Sequence, residues 1–166
     1  MSHDGFEGAN VRAAGYWIVR TTSACESCGE RTEVAALALP AEHETLDAEA
    51  DFDAVEWSFA GCIAVIFHVG WLAEGVQARL RQWVPAFFTD ASSTWVNHCR
   101  HCGFTLDDLA LHCEPDGAFV PATDTAARAI EMIRIEAPFE GRAAGYSCEP
   151  DFFTLAARVE PWPSIS

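Results

Sequence analysis

Cys-x-x-Cys-Gly occurs twice in this chain, as Cys25-Glu26-Ser27-Cys28-Gly29 and as Cys99-Arg100-His101-Cys102-Gly103. Each copy is half of a tetrahedral thiolate site, and together they supply the four soft ligands that Zn²⁺ accepts well. Four thiolates leave no coordination position open to water or substrate, so the expected zinc is structural, not catalytic. Bringing Cys28 beside Cys99 closes a loop of about 70 residues, at a cost on the order of 4 kcal/mol. A structural zinc contributes about 10–16 kcal/mol of apparent binding energy, against a typical domain stability of about 5–15 kcal/mol. Metal binding outweighs the closure cost and should hold two distant segments in one body.

The predicted ligands are Cys25, Cys28, Cys99 and Cys102. Iron is the alternative, because rubredoxins hold a single iron with two such knuckles. Their second knuckle usually carries Pro after its first Cys, where this chain has Arg100. His98, His101 and His112 crowd the second knuckle and its return. One of them could replace a Cys or bond a thiolate from outside the ligand set. His101 lies between two ligands, where side chains normally face solvent.

With 166 residues, half of them apolar, the chain suits one domain with a sizeable core. Residues 1–13 are polar and expected to be disordered, leaving 14–160 as a single zinc-stabilised domain. Cys62 to Val69, the longest apolar run, is too short to span a bilayer. Met1 to Asn10 carries Asp4 and Glu7 and no hydrophobic stretch, so a secretory signal is not expected and a cytoplasmic location is. A reducing compartment keeps paired knuckles as thiols. The dispersed Cys62, Cys113 and Cys148 are then expected to be small buried hydrophobes.

The net charge is −15, with ten arginines and no lysine. Affinity for phosphates rests on clustered cations, so nucleic acid is an unfavourable partner. Arg79 and Arg81 are the one dense basic pair. An acidic surface better suits a basic protein, because complementary potentials raise on-rates and reject wrong partners.

Tyr16 to Val19 reads as a strand, and Thr32 to Leu39 as a second one stopped by Pro40. The first knuckle then sits on a hairpin tip, where Gly29 can supply positive φ. Glu42 to Glu56 places seven acids in fifteen residues without a helical or strand period, and is expected to be a solvated loop. Cys62 to Val69 predicts a strand buried on both faces. Leu72, Val76, Leu80 and Trp83/Val84 predict a helix ended by Pro85. Ser93 to Asn97 predicts a strand entering the second knuckle, with Phe104 to His112 as its return. Glu114-Pro115-Asp116-Gly117 predicts a type I turn. Asp124 to Glu136 predicts a helix capped by Thr123 or Asp124, and Phe152 to Val159 a last short helix.

Catalytic constellations are weak. Cys113 beside His112, and Cys62 with His68, are the candidate nucleophile and base pairs. Adjacent strand residues point to opposite faces. Cys62 and His68 would lie about 20 Å apart by strand rise. Asp107-Asp108 suits helix capping as well as acid–base work. No Gly-rich phosphate loop, His-Glu-x-x-His or Gly-x-Ser-x-Gly occurs.

Trp95 to Gly103, continuing to Leu111-His112-Cys113-Glu114-Pro115-Asp116-Gly117-Ala118-Phe119, resembles a group of uncharacterised bacterial hypothetical proteins. So does Cys25 to Val34. The resemblance covers most of residues 15–155 and rests on the two zinc knuckles and the Leu-His-x-Glu-Pro-x-Gly-x-Phe run. It implies a shared zinc fold and no particular activity. It also implies that Asp107/Asp108 and His112 to Phe119 belong to the same module as the zinc.

The expected fold is α+β: a small mixed or antiparallel sheet around a split zinc ribbon, with two or three packed helices. The expected function is a non-enzymatic, zinc-stabilised acidic binding protein, such as an inhibitor or immunity-type partner of a basic protein. The alternatives are a zinc-ribbon protein of nucleic-acid machinery, with Arg79, Arg81 and Arg100 clustered on one face, and an enzyme with a pocket lined by His68, His112, Asp107 or Asp108.

Overall fold

The computed structural model describes residues 8–46, 57–90, 92–148, 150 and 152–159. Its strands are β1 (Val11–Ala13), β2 (Tyr16–Ala24), β3 (Arg31–Leu39), β4 (Glu44–Leu46), β5 (Trp57–Phe59), β6 (Ala64–Leu72), β7 (Phe87–Thr89), β8 (Trp95–Asn97), β9 (Glu131–Ile135), β10 (Phe139–Cys148) and β11 (Ala157–Val159). Three helices accompany them among the described residues: α1 (Glu74–Trp83), α2 (Asp108–His112) and α3 (Asp124–Arg128). The strands join one sheet in the order β11-β9-β2-β3-β6-β10-β1-β4-β5, with β8 attached to β6 and β7 to β8. The pairings are antiparallel except β9 with β11, which is parallel. The sheet curves as a half-barrel. It is larger than the small sheet expected.

The continuous apolar runs are explained by cores on both faces of the central strands. In β3, Ala35, Leu37 and Leu39 enter one core while Val34, Ala36 and Ala38 enter the other. In β6, Ile66 and Val69 join the first core and Val65 the second. Strands covered on both sides lose the usual polar alternation. Val76 and Leu80 of α1 pack into the first core, one face of the helix expected from their spacing. The second core holds Cys25 and Cys99 together with Leu106, Leu111 and Phe119. The knuckles are therefore anchored in the interior and not hung from it.

Several expectations are corrected. Val11–Ala13 is not a disordered end, because it pairs with both β10 and β4. Residues 1–7 lie outside the described residues. Of the acidic run, Glu44–Leu46 forms β4, and 47–56 lies outside the described residues. The helix expected over Asp124 to Glu136 stops at Arg128, and the chain continues as β9. Met132 enters the second core while Ile133 and Ile135 enter the first, the division expected of a strand with two covered faces. The expected final helix is a turn followed by β11. The turn at Glu114-Pro115-Asp116-Gly117 closes with the Gly117 N–H donating to the Glu114 carbonyl at 2.9 Å. Asp116 has φ 69°, which belongs to a type II turn instead of type I. No helix among the described residues is long and apolar enough to cross a membrane.

Candidate metal centre

The two knuckles fold alike. In the first, the Cys25 N–H donates to the Glu30 carbonyl at 2.9 Å and the Gly29 N–H to the Cys25 carbonyl at 2.8 Å. In the second, the Cys99 N–H donates to the Phe104 carbonyl at 2.8 Å and the Gly103 N–H to the Cys99 carbonyl at 2.9 Å. Gly29 and Gly103 have φ 79° and 80°. Positive φ is nearly free for glycine and costly for residues with a Cβ. In both knuckles a backbone N–H also points at the first sulfur: Ser27 to Cys25 Sγ and His101 to Cys99 Sγ, each at 3.3 Å.

The structure brings Cys25, Cys28, Cys99 and Cys102 together, with all four sulfurs within 4.8 Å of one another. Cys25 Sγ lies 3.7 Å from Cys102 Sγ, and Cys28 Sγ lies 3.7 Å from Cys99 Sγ. A tetrahedron with Zn–S bonds of about 2.3 Å has S···S edges of about 3.8 Å. The donor set and its spacing therefore fit one tetrahedral metal ion. Cys25 and Cys99 are buried, and Cys28 and Cys102 are exposed. Each knuckle thus contributes one interior and one surface sulfur.

The thiols affect one another. For Cys99, burial opposes ionisation, but N–H donors from Cys102 and His101 prevail and lower its pKa to about 6. For Cys28, the Glu30 N–H favours the thiolate, yet desolvation and the neighbouring sulfurs prevail and raise the pKa to about 12. Four sulfurs this close cannot all ionise unless a cation sits among them.

Side chains lock the second knuckle to the first hairpin. Asn97, 1% exposed, accepts from the Ala35 N–H at 2.7 Å and donates to the Ala35 carbonyl at 3.0 Å. Its amide pairs with β3 as a strand backbone would. The Thr32 hydroxyl accepts from the Arg100 N–H at 3.0 Å. Neither residue is singled out by the sequence reading. The signal available was an Asn two positions before a ligand in an otherwise apolar strand.

The three histidines take different places. The His101 ring nitrogen Nε2 lies 3.1 Å from the Arg31 carbonyl oxygen, tying the second knuckle to the start of β3 beside the first knuckle. The His98 ring stacks on Phe88 at 3.7 Å, with Nδ1 3.3 Å from the Ala86 carbonyl. His112 is buried between Phe67 and Phe119, 4.9 Å from each ring centroid. Burial, aided by the charge of His68, lowers its pKa to about 3.

The weighed catalytic groups are placed as follows. Asp107 caps α2, accepting from the Ala110 N–H at 3.2 Å. Asp108 is buried, and its Oδ2 accepts from the His68 N–H at 2.9 Å. His68 adopts φ 54° there, and its Nδ1 lies 3.6 Å from the same oxygen. Burial pushes the Asp108 carboxyl up, against the opposing pull of that N–H. Cys62 is bonded to Cys148, and Cys113 is exposed. The expectation that these three are buried hydrophobes is therefore corrected: Cys148 ends β10 opposite Ala64, the first residue of β6, and Cys62 lies two residues before β6, where the two sulfurs meet.

No protein-family model, curated protein or solved structure matches the chain.

Proposed function

We propose that the chain is a non-enzymatic, zinc-stabilised binding domain in which a split zinc ribbon joins two hairpin tips and an acidic surface meets a basic protein. The resemblance to bacterial proteins with paired zinc knuckles is part of this proposal. The observation that carries it is the four-sulfur cluster, all within 4.8 Å and with two S···S edges of 3.7 Å, which suits a closed Zn²⁺ tetrahedron. The metal has a scaffold role because a closed set offers substrate no position.

The charge distribution supports the choice of partner. The net charge is −15, and several arginines are already engaged inside the molecule. Arg12 pairs with Glu44, Arg20 with Glu131 and Arg134 with Glu136. Arg142 donates to the Gly8 carbonyl, and Arg158 to the Phe153 carbonyl. These cations are committed to neighbours, so they offer little to a polyanion, and the net negative charge favours a cationic partner.

The test is retention of basic proteins by the immobilised, zinc-loaded chain across a salt series. Retention of a discrete cationic partner that weakens as ionic strength rises is the expected result. Retention insensitive to salt, or equal retention of acidic proteins, contradicts the proposal.

A further inference from the structure

Three cysteines outside the metal cluster gather around two cavities. Cys62 and Cys148 form a disulfide between sequence positions 86 apart. Both line a cavity of about 650 Å³ that also takes in His43, Phe59 and Tyr146. Cys148 additionally lines a second cavity of about 340 Å³, whose wall includes Cys113 and His112. Cys148 is thus the sulfur common to both spaces, with its bonded partner on one side and a free thiol on the other. Cys113 and Cys148 are exposed and Cys62 is half-buried, so solvent and small molecules reach all three. Exposed disulfides are the labile ones, while resistant structural bridges are those shielded from thiols.

We propose that Cys62, Cys113 and Cys148 form a thiol–disulfide exchange site, with a small disulfide as its substrate class. The Cys113 thiolate attacks the Cys148 sulfur. A Cys113–Cys148 bond forms, the Cys62–Cys148 bond breaks, and Cys62 leaves as a thiolate. One disulfide and one thiol are present before and after, so this step needs no external oxidant. The proton lost by Cys113 passes to solvent. Cys62 then opens on the larger cavity, where its thiolate attacks a disulfide R–S–S–R. That step forms a Cys62–S–R mixed disulfide and expels R–S⁻. The larger cavity is of a size that admits such a molecule, and Phe59 and Tyr146, both largely exposed, form part of its wall.

The experiment uses the full, zinc-loaded chain and oxidised glutathione as the probe, with disulfides mapped by mass spectrometry after alkylation. In the unmodified chain, glutathione is expected on Cys62 together with a Cys113–Cys148 bond. Cys113→Ser should lose most of the Cys62 modification, because Cys62 stays tied to Cys148. Cys62→Ser should yield the Cys113–Cys148 bond without any glutathione. Retained zinc in each variant shows that the fold is intact. The proposal is overturned if Cys113→Ser is modified at Cys62 as readily as the parent. It is overturned equally if Cys113 and Cys148 both alkylate as free thiols in Cys62→Ser.

Discussion

Gly29 and Gly103 follow the second cysteine of each knuckle, and neither has a neighbour within 4 Å of where a Cβ would stand. Substitution by Ala therefore tests backbone conformation alone. With φ near 80° in both, Gly103→Ala should cost about 1–2 kcal/mol, read as a lower denaturant midpoint in the zinc-loaded protein. Asn97 is a different kind of residue, valued for two buried hydrogen bonds. Asn97→Ala leaves the Ala35 N–H and carbonyl unpaired against β8, which should cost roughly 3 kcal/mol by the usual penalty for stranded buried polar groups. Asn97→Asp should fare little better, since a carboxylate cannot donate to the Ala35 carbonyl.

His112 gives the molecule a pH dependence at the residue scale. The unfolded imidazole takes up a proton below about 6.5, whereas the folded one does so only below about 3. Between those values the unfolded state binds more protons, so stability falls as pH drops through the window. The slope contributed is up to about 1.4 kcal/mol per pH unit. Asp108, whose carboxyl is pushed up by burial, acts in the opposite sense near its own range: its folded form holds a proton longer, so its contribution falls as pH rises. Acid also protonates the knuckle thiolates. The informative measurement is therefore the difference between the parent and His112→Phe, by denaturant unfolding from pH 7 to pH 4. The variant should lose stability less steeply, and parallel curves would contradict the burial argument.

At the scale of elements, the hairpin of β2 and β3 and the strand β8 are held edge to edge by Asn97 and Thr32, and at their tips by sulfur. Chelation should release the tips first. Hydrogen exchange of the amides of 25–31 and 99–105 should accelerate on metal removal, ahead of the amides of 34–38, which lie buried between two cores. Uniform loss of protection would mean that the knuckles and the sheet open as one unit.

What could be read in the sequence follows from which forces act locally. The knuckles, the β2 and β3 strands, β6 and α1 were legible because cysteine spacing, β-branching and helical periodicity are short-range signals. The Asp124 to Glu136 segment was misread because its apolar residues satisfy a helical period as well as a strand. Burial between β2 and β11 decided between them, and that is tertiary context. Thr123 still caps the first turn as expected, accepting from the Ala126 N–H. The bridge between Cys62 and Cys148 was illegible for a similar reason: only the β6–β10 register brings the two sulfurs together. Of the metal centre, the four sulfurs could be named from their spacing, while the Asn97 and Thr32 clasp depended on which strand lay opposite.

At the scale of the whole molecule, two cores on opposite faces of one sheet share a wall, and the sulfur cluster sits at the edge of the second. Cys25 and Cys99, 2% and 3% exposed, belong to that core as well as to the cluster. A metal held there would join the two ends of a 71-residue separation at a place where, without a cation, the four sulfurs cannot all ionise. Its removal should lower the stability of the entire chain and not only loosen a loop. A Cys28→Ser, Cys102→Ser double variant removes the two surface sulfurs while leaving the interior ones. It should bind zinc far more weakly and melt well below the loaded parent.

The most direct test is metal content of the purified chain coupled to thermal unfolding before and after chelation. One zinc per chain is predicted, lost together with Cys25, Cys28, Cys99 and Cys102 becoming reactive to thiol reagents, and a large fall in Tm that added zinc restores. A chain that folds with the same Tm when free of metal, or whose four knuckle cysteines pair as disulfides, would contradict it.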